Sequence, residues 1–187
     1  GAGTILLDAK AGAINLNATS SLTTTNATAT AITIRDATTV ALGGISASSG
    51  TVVLGVSQDI TGAVTQNGAS IVNASALTAS TNNSLTLTNN NTIGTLGSVT
   101  RGGAFSLTDT TGGLTVTGPV TGGTITNGVT ISTAGGALAV NGNISTSGAN
   151  NISLTGVGIT AAAAVTVNGG AGTILLDAKA GAINLNA

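Results

Sequence analysis

The stretch GGAFSLTDTTGGLTVTGPVTGG (residues 102–123) contains the pattern that decides the fold of this chain. Two runs within it, AFSLT (104–108) and GLTVT (113–117), alternate one apolar residue with one hydroxyl residue. Side chains two positions apart lie on the same face of a β-strand, so Phe105 and Leu107 are expected to point inward and the hydroxyls outward. Gly-Gly pairs before, between and after the runs are turn signals. The pattern therefore predicts short strands joined by glycine turns.

The same alternation recurs along the whole chain. Seven further runs are AINLN (13–17), AITIR (31–35), SLTLT (84–88), GVTIS (128–132), ALAVN (137–141), NISLT (151–155) and AVTVN (164–168). Their β-branched residues favour extended backbone, and no segment shows helical periodicity. We therefore predict an all-β chain with no helix longer than one turn. The residues expected to be buried are Ile32, Ile34, Leu85, Leu87, Phe105, Leu107, Val129, Ile131, Ile152 and Leu154.

The composition indicates a narrow core and an almost uncharged surface. Charged residues make up 5% of the 187 residues, against about 25% in ordinary globular domains. Disordered chains usually combine high charge with little apolar content, whereas 41% of this chain is hydrophobic. One Phe, no Tyr, no Trp and no Met are present. The chain can therefore bury a core, but one built mainly from small aliphatic side chains.

An internal repeat shapes the domain organisation. Residues 1–18 (GAGTILLDAKAGAINLNA) recur without change as residues 170–187, at an offset of 169. We interpret residues 1–169 as one period of a tandem array and residues 170–187 as the start of the next copy. The sequence that follows Ala187 in the full protein is then expected to copy TSSLTTTNAT (19–28).

The spacing of the runs predicts the architecture. Strong runs begin near residues 4, 31, 51, 84, 104, 128, 151 and 173, and the step from 51 to 84 is long enough to contain another coil. Antiparallel sandwiches usually protect their exposed edges with charge, which is scarce here. In a parallel β-helix each coil pairs with the next. We therefore predict a right-handed parallel β-helix (β-solenoid) with about seven to eight coils per 169-residue period.

This architecture also predicts how the two 18-residue copies are related. At a strand spacing of ~4.8 Å, one period would be roughly 34–38 Å long. The copies are expected to share one conformation and to be displaced along one axis. Repeated displacement along an axis generates an open filament rather than a closed oligomer.

Charge and hydropathy exclude several classes of partner. The net charge is −1 and the chain has no basic stripe or aromatic platform, so we expect no nucleic acid partner. No run of 18 apolar residues exists, so we expect no membrane-spanning helix.

The acidic residues are too scattered to predict a catalytic or metal site. They are Asp8, Asp36, Asp59, Asp109 and Asp177, and the chain has no His. Catalysis by paired carboxylates needs two of them within several Å, but these occur once per coil or less. We expect them to be solvated charges on the outer face, with Asp8 pairing with Lys10 and Arg35 adjacent to Asp36. The sequence therefore predicts no catalytic, cofactor-binding or metal-ligating residue, and a protein that is not an enzyme.

Two further motifs resemble ligand-binding repeats. GGAFSLTDT (102–110) approaches the GGxGxDxUx repeat of calcium-binding β-rolls, but it occurs once. TLT (86–88) and TVT (115–117) match the Thr-x-Thr pairs of ice-binding faces. The two triplets are expected at unlike positions in their coils, without recurrence from coil to coil, so strand alternation is the interpretation that we favour.

Three stretches carry a resemblance to a known family. They are NNNTIGTLGSVTRGGAFSLTDTTGGLTVTGPVTGG (89–123), NGNISTSGANNISLTG (141–156) and GTILLDAKAGAINLNA (172–187). In style the chain resembles the filamentous-haemagglutinin-like exoproteins, which are giant bacterial surface adhesins, many of them exported by two-partner secretion. The resemblance implies a right-handed parallel β-helix that forms an extracellular fibre shaft. It carries over no site residue, because shaft coils have none.

The sequence therefore favours a structural function over two alternatives. The leading hypothesis is the repetitive shaft of a bacterial surface adhesin or filament, located outside the cell. Its expected partners are further copies of the same repeat in the chain and lateral neighbours in a filament. The alternatives are a carbohydrate-active β-helix, which a cleft lined with aromatic and acidic residues would indicate, and a glycan- or ice-binding β-helix with a Thr/Asn face.

Overall fold

The computed structural model describes residues 1–122 and 128–185, and its strands join one continuous sheet in which every pairing is parallel. Successive strands wind round a common axis, so the chain is a β-solenoid of about eight coils. No helix occurs in the two described ranges. The all-β solenoid expected from the alternating runs is therefore confirmed.

Strand length changes along the molecule. The longest strand, β7, bends round the solenoid through 17 residues, whereas most strands after it span two to five residues. The strands are β1 (Ile5–Asn15), β2 (Ser21–Thr23), β3 (Ile32–Leu42), β4 (Gly44–Leu54), β5 (Val64–Gln66), β6 (Val72–Thr81), β7 (Leu85–Arg101), β8 (Phe105–Asp109), β9 (Leu114–Val116), β10 (Val120–Gly122), β11 (Val129–Thr133), β12 (Leu138–Val140), β13 (Ile144–Ser145), β14 (Ile152–Thr155), β15 (Ile159–Ala161), β16 (Val167–Asn168), β17 (Ile174–Asp177) and β18 (Ile183–Leu185).

Aliphatic residues of successive coils stack in ladders inside the solenoid. The first ladder consists of Ile14, Val40, Val64, Leu85, Phe105, Val129, Ile152 and Ile174. The second ladder consists of Leu7, Ile34, Leu54, Ala79, Val99, Val120, Ile144 and Val167. Each ladder has seven steps, and both cover the same length of chain, so the two faces advance together along the axis.

The ladders form the hydrophobic core. All ten residues that the alternation predicts to be buried are at most 1% exposed. Phe105, the bulkiest of the aliphatic and aromatic residues, stacks between Leu85 and Val129 of the adjacent coils, as expected. Burial of each Val, Leu or Ile contributes ~1.5–3 kcal/mol before the conformational entropy is subtracted. Stability therefore accumulates along the axis.

The long interval between the runs at 51 and 84 reflects a change of ladder and contains no complete extra coil. Val52 pairs with Leu77, so one coil separates these two residues. Leu85 follows eight residues later and belongs to the first ladder, whereas Val52 and Leu77 belong to another. The runs at 4, 31 and 51 therefore lie on a different face of the solenoid from the runs at 84 and beyond.

The two copies of the 18-residue sequence also lie on different faces. Ile5 pairs with Ile32 outside the first ladder, whereas its copy Ile174 pairs with Ile152 at the end of that ladder. The first copy forms the single strand β1, and the second forms the separate strands β17 and β18, with its last two residues outside the described ranges. The expectation of one shared conformation is therefore wrong. The 169-residue repeat is nine residues longer than the seven coils from Ile14 to Ile174, so the second copy begins nine residues further round the coil.

Candidate functional site

Asp8 is held by cations from its own coil and from the next one. Its Oδ2 accepts hydrogen bonds from Lys10 Nζ at 3.0 Å and from Arg35 Nη2 at 2.9 Å. These bonds, that of Lys10 first, lower the pKa of Asp8. Asp8 and Arg35 are direct partners in the register of β1 and β3. Arg35 therefore pairs with a carboxylate of the preceding coil, whereas the sequence alone suggests its neighbour Asp36.

Asp177, the copy of Asp8, reproduces the local part of this arrangement. Its Oδ1 accepts the backbone N–H of Lys179 at 3.0 Å, and its Oδ2 accepts from Lys179 Nζ at 2.7 Å. Lys179 again lowers the pKa of the carboxyl. The Asp177 side chain is 39% exposed against 12% for Asp8, because in the described residues no following coil supplies an arginine.

The two other acids, Asp59 and Asp36, differ in their local setting. Asp59 Oδ1 accepts the backbone N–H of Val56 at 2.8 Å. Asp36 has a φ of 51°, in the left-handed region that Asn and Asp tolerate better than most residues. Both side chains are half-buried. Asp59 therefore has a local structural role, and Asp36 lies within β3 at a point of left-handed backbone.

Asp109 is buried, and the expectation that all acids lie on the solvated outer face is wrong for this residue. It has no exposed surface, and its Oδ1 accepts the backbone N–H of Ile93 at 2.8 Å from the preceding coil. Its Oδ2 has no hydrogen-bond partner in the described ranges of the chain. Burial raises the pKa of Asp109. The carboxyl replaces a main-chain acceptor at a corner of the solenoid.

Asn91 has the same role in the coil before. It pairs with Asp109 in the register, and its Oδ1 accepts the backbone N–H of Val72 at 2.8 Å. Its Nδ2 donates to the carbonyl oxygens of Leu87 and Thr108 at 3.0 Å. We call Asn91 and Asp109 the polar stack. The sequence alone does not single out Asn91, because the backbone N–H group that it serves belongs to the preceding coil and is identified only once the coils are paired.

Arg101 is a second buried ionisable residue, and no motif in the sequence singles it out. Its guanidinium donates through Nη1 to the carbonyl oxygen of Gly103. The side chain has no exposed surface, and burial lowers its pKa to about 10. In residues 1–122 and 128–185, no three acidic, histidine or cysteine side chains come together as a metal site. Asn91, Asp109 and Arg101 have no exposed surface, so the polar stack and Arg101 are parts of the core.

One outer face carries an ordered array of hydroxyl groups, which we call the hydroxyl face. Thr86, Ser106, Thr130 and Ser153 pair in register along one file of this face. A second file, two residues further along each strand, contains Thr108, Ser132 and Thr155. Within the described chain these seven hydroxyls make no hydrogen bond to protein. The files repeat every ~4.8 Å along the axis and lie roughly 6.7 Å apart.

The hydroxyl face corrects one expectation and supports another. The TLT triplet at 86–88 is predicted from the sequence not to recur, but its first Thr heads a file that runs through four consecutive coils. The recurrence is not obvious in the sequence, because some coils have Ser at the position where others have Thr. Thr115, in the TVT triplet, pairs with Ala139 in the next coil, so that triplet does not continue.

The last described coil leaves an apolar concavity of about 570 Å³ at the end of the core, which we call the open end. Val167, Ile174 and Leu185 contribute to its lining. Ile174 is 42% exposed and Leu185 59% exposed, whereas their partners one coil earlier are buried or half-buried. The open end is thus a cross-section of the core with nothing stacked on it in residues 1–122 and 128–185.

Comparison with known proteins gives no family or relative from which a function could be inferred. No family model, no curated protein and no solved structure matches the chain. Among the described residues, there is no helix with the length and apolar character needed to cross a membrane.

Proposed function

We propose that this chain is a structural module, the repetitive shaft of an extracellular fibre of the kind that bacterial surface adhesins use. The observation that carries the proposal is the continuity of the aliphatic ladders. From Val40 to Ile152 each member of the first ladder pairs with the coil before and the coil after it, and no capping element interrupts the series in the described ranges. Further coils can be added to a fold of this kind along its axis.

The mechanical properties follow from the stacking. Parallel backbone ladders connect every coil to its neighbours, so stability is a sum over coils and their interfaces. Unpaired strand edges recruit further strands, and in a tandem array the next copy would cover them. With 5% charged residues, the outer faces offer little repulsion to neighbouring shafts. This supports lateral association into filaments.

The location outside the cell is supported by the resemblance to filamentous-haemagglutinin-like exoproteins. Antibodies raised against the 187-residue chain should label intact producing cells before permeabilisation, and protease treatment of those cells should remove the signal. Labelling that requires permeabilisation would contradict an extracellular shaft.

The shaft itself is tested by the length of multi-copy chains. We expect small-angle X-ray scattering of chains with one, two and three 169-residue copies to show a constant cross-section and a length that grows by roughly 35 Å per copy. A control in which a Gly/Ser linker separates two copies should show two jointed rods. A direct two-copy chain that scatters like this control would contradict the continuous shaft.

The hydroxyl face supports a second candidate function, a surface that orders water or binds ice. Its two files form a regular, uncharged array on a rigid sheet. Glycan binding has less support, because carbohydrate rings usually stack on surface aromatic residues and the one aromatic residue, Phe105, is buried.

Inhibition of ice recrystallisation tests this second function. The unaltered chain should inhibit recrystallisation, and Thr130→Lys, in the middle of the array, should abolish the effect. Thr160→Lys is the matched control, since Thr160 is exposed but lies on another face beside Ala139. An inactive unaltered chain, or equal activity of the two variants, would contradict the proposal.

A further inference from the structure

We propose that the open end is covered by residues 19–42 of a following repeat, and that successive repeats are turned about the shaft axis by about a third of a turn. This inference rests on the proposed shaft function and deepens it by naming the contact that joins two repeats. Three independent features of the structure support it: the phase of the coils, the register of the ladders and a pair of opposite charges.

The phase of the coils sets the rotation. Seven coils run from Ile14 to Ile174, and the repeat is nine residues longer than that interval. Nine residues also separate Ile5 from Ile14 in the first coil, and Leu7 of the second ladder lies on the face between theirs. Each later coil has three strands, such as β11, β12 and β13. A repeat therefore ends two faces later than it began, which is one face short of a complete turn.

The register of the second ladder identifies the residue that would cover Val167. The last two steps of this ladder run from Val120 to Ile144 and from Ile144 to Val167. The repeat has an offset of 169 residues. The number of residues along the chain from Val167 to Leu22 of the following repeat is therefore the same as the number from Val120 to Ile144. The next copy thus brings an aliphatic residue to the open end at a spacing that the ladder already uses.

The first ladder continues in the same way. Ile5 is covered by Ile32 of the next coil in the first copy. Ile174 is the copy of Ile5, so Ile32 of the following repeat lies at the same distance along the chain from Ile174. Residues 19–42 of the following repeat would thus continue both ladders without a gap.

The charges at the junction are also complementary. Arg35 covers Asp8 in the first copy at 2.9 Å. Asp177 has the same local partner, Lys179, but remains 39% exposed in the described chain. Arg35 of the following repeat, seated over Ile174 and its neighbours in the register of β3 on β1, would reach Asp177 as it reaches Asp8.

The rotation has a consequence for the surface of a long array. Each repeat ends one of the three faces short of a complete turn, so the phase returns to its starting point after three repeats. The same outer face, including the hydroxyl face, would then point in the same direction in every third repeat. The array would present each of its surfaces on all sides of the fibre, along a slow helical path.

Engineered disulfides test the rotation, since the chain has no Cys of its own. The 187-residue chain is extended by a copy of residues 19–42, with Thr23→Cys in the added copy. Adjacent parallel strands bring Cα atoms within the ~4.4–6.8 Å range that a disulfide needs. The rotated arrangement places this cysteine beside Asn168→Cys, because Asn168 follows Val167 as Thr23 follows Leu22.

Two further pairs make the result interpretable. Thr121→Cys with Ser145→Cys joins residues that the structure already pairs and is the positive control. Lys179→Cys is the negative control, because only 13 residues separate Lys179 from Thr23 of the added copy (192 − 179), whereas paired residues of adjacent coils are 18 to 27 residues apart.

We expect the Asn168→Cys pair to oxidise as completely as the positive control and the Lys179→Cys pair to stay reduced. Oxidation of the Lys179→Cys pair instead would overturn the rotation together with the seating of residues 19–42. If neither pair oxidises while the positive control does, the seating of residues 19–42 is overturned, and the scattering of multi-copy chains decides separately on the shaft.

Hydrogen exchange gives a measurement that needs no cysteine. The added copy should slow exchange of the backbone amides in β17 and β18 at least tenfold. A matched chain with one Gly inserted before the added copy should lose this protection, because a one-residue slip turns every side chain of a strand to its other face. Equal exchange in the two extended chains would overturn the register.

Discussion

At the scale of single residues, the alternation of apolar and hydroxyl residues determines most of the core. Phe105 and Leu107 could be assigned to the interior because the information is local: residues two apart share a face. Asp109 and Asn91 could not, because their burial depends on the backbone N–H groups of Ile93 and Val72 in the coil before. A buried acceptor whose donor lies in another coil cannot be recognised from a short stretch of sequence.

The buried Asp109 should make stability depend on pH in a direction opposite to that of Asp8. The raised pKa of Asp109 means that its stabilising contribution is complete below the unfolded value, about 3.9, and is lost as the pH rises through the folded value. Asp109→Asn keeps the Oδ1 acceptor and removes the charge. Its free energy of unfolding, measured with urea, should therefore rise relative to that of the unaltered chain between pH 3 and pH 7.

Asp8→Asn is the matched control for this prediction. The pKa of Asp8 is lowered, so its contribution is present above the unfolded value and is lost as the pH falls through the folded value. Asp8→Asn should therefore lose stability relative to the unaltered chain as the pH rises. Parallel pH profiles for Asp109→Asn and the unaltered chain would contradict the buried charge.

At the scale of strands and turns, glycines allow consecutive coils to pass close to each other. A Cβ built at Gly136 would collide with backbone atoms of Gly112 and Gly113 in the coil before, and backbone cannot move aside as a side chain can. The Gly-Gly pairs are predicted from the sequence to be turns, and β12 does follow one of them at Leu138. That a given glycine is needed for the approach of another coil, and not for its own turn, follows only from the paired structure.

Gly136→Ala should therefore destabilise the chain although it adds a single methyl group. Overpacking of this kind typically costs about 1–3 kcal/mol, and we expect a loss of that size in the free energy of unfolding. Gly3→Ala is the control, because a Cβ at Gly3 has no atom within 4 Å and should change stability by less than about 0.5 kcal/mol. Equal effects of the two substitutions would show that the two coils do not approach each other closely.

At the scale of the whole molecule, the solenoid and its number of coils could be predicted, but the phase of the repeat could not. Coil lengths vary: the step from Ile32 to Val52 is seven residues shorter than the step from Ile5 to Ile32. Because the coils differ in length, a 169-residue repeat could end on any face of the coil as far as the sequence shows. Only the pairing of each strand with its neighbours shows that Ile5 and Ile174 lie on different faces.

The one-dimensional architecture predicts how stability depends on the number of copies. The terminal coils are incomplete: all three residues of β18 are exposed, whereas the central strand β8 alternates between buried and half-buried residues. Each added copy contributes complete coils and one more interface but no further ends. The urea midpoint should therefore rise from one copy to two, and by a smaller step from two to three, while the dependence of the unfolding free energy on urea grows with the surface exposed. Circular dichroism of the three chains measures both quantities. A two-copy chain that unfolds at the one-copy midpoint would mean that the repeats fold independently, and the ladders would then stop at each repeat boundary.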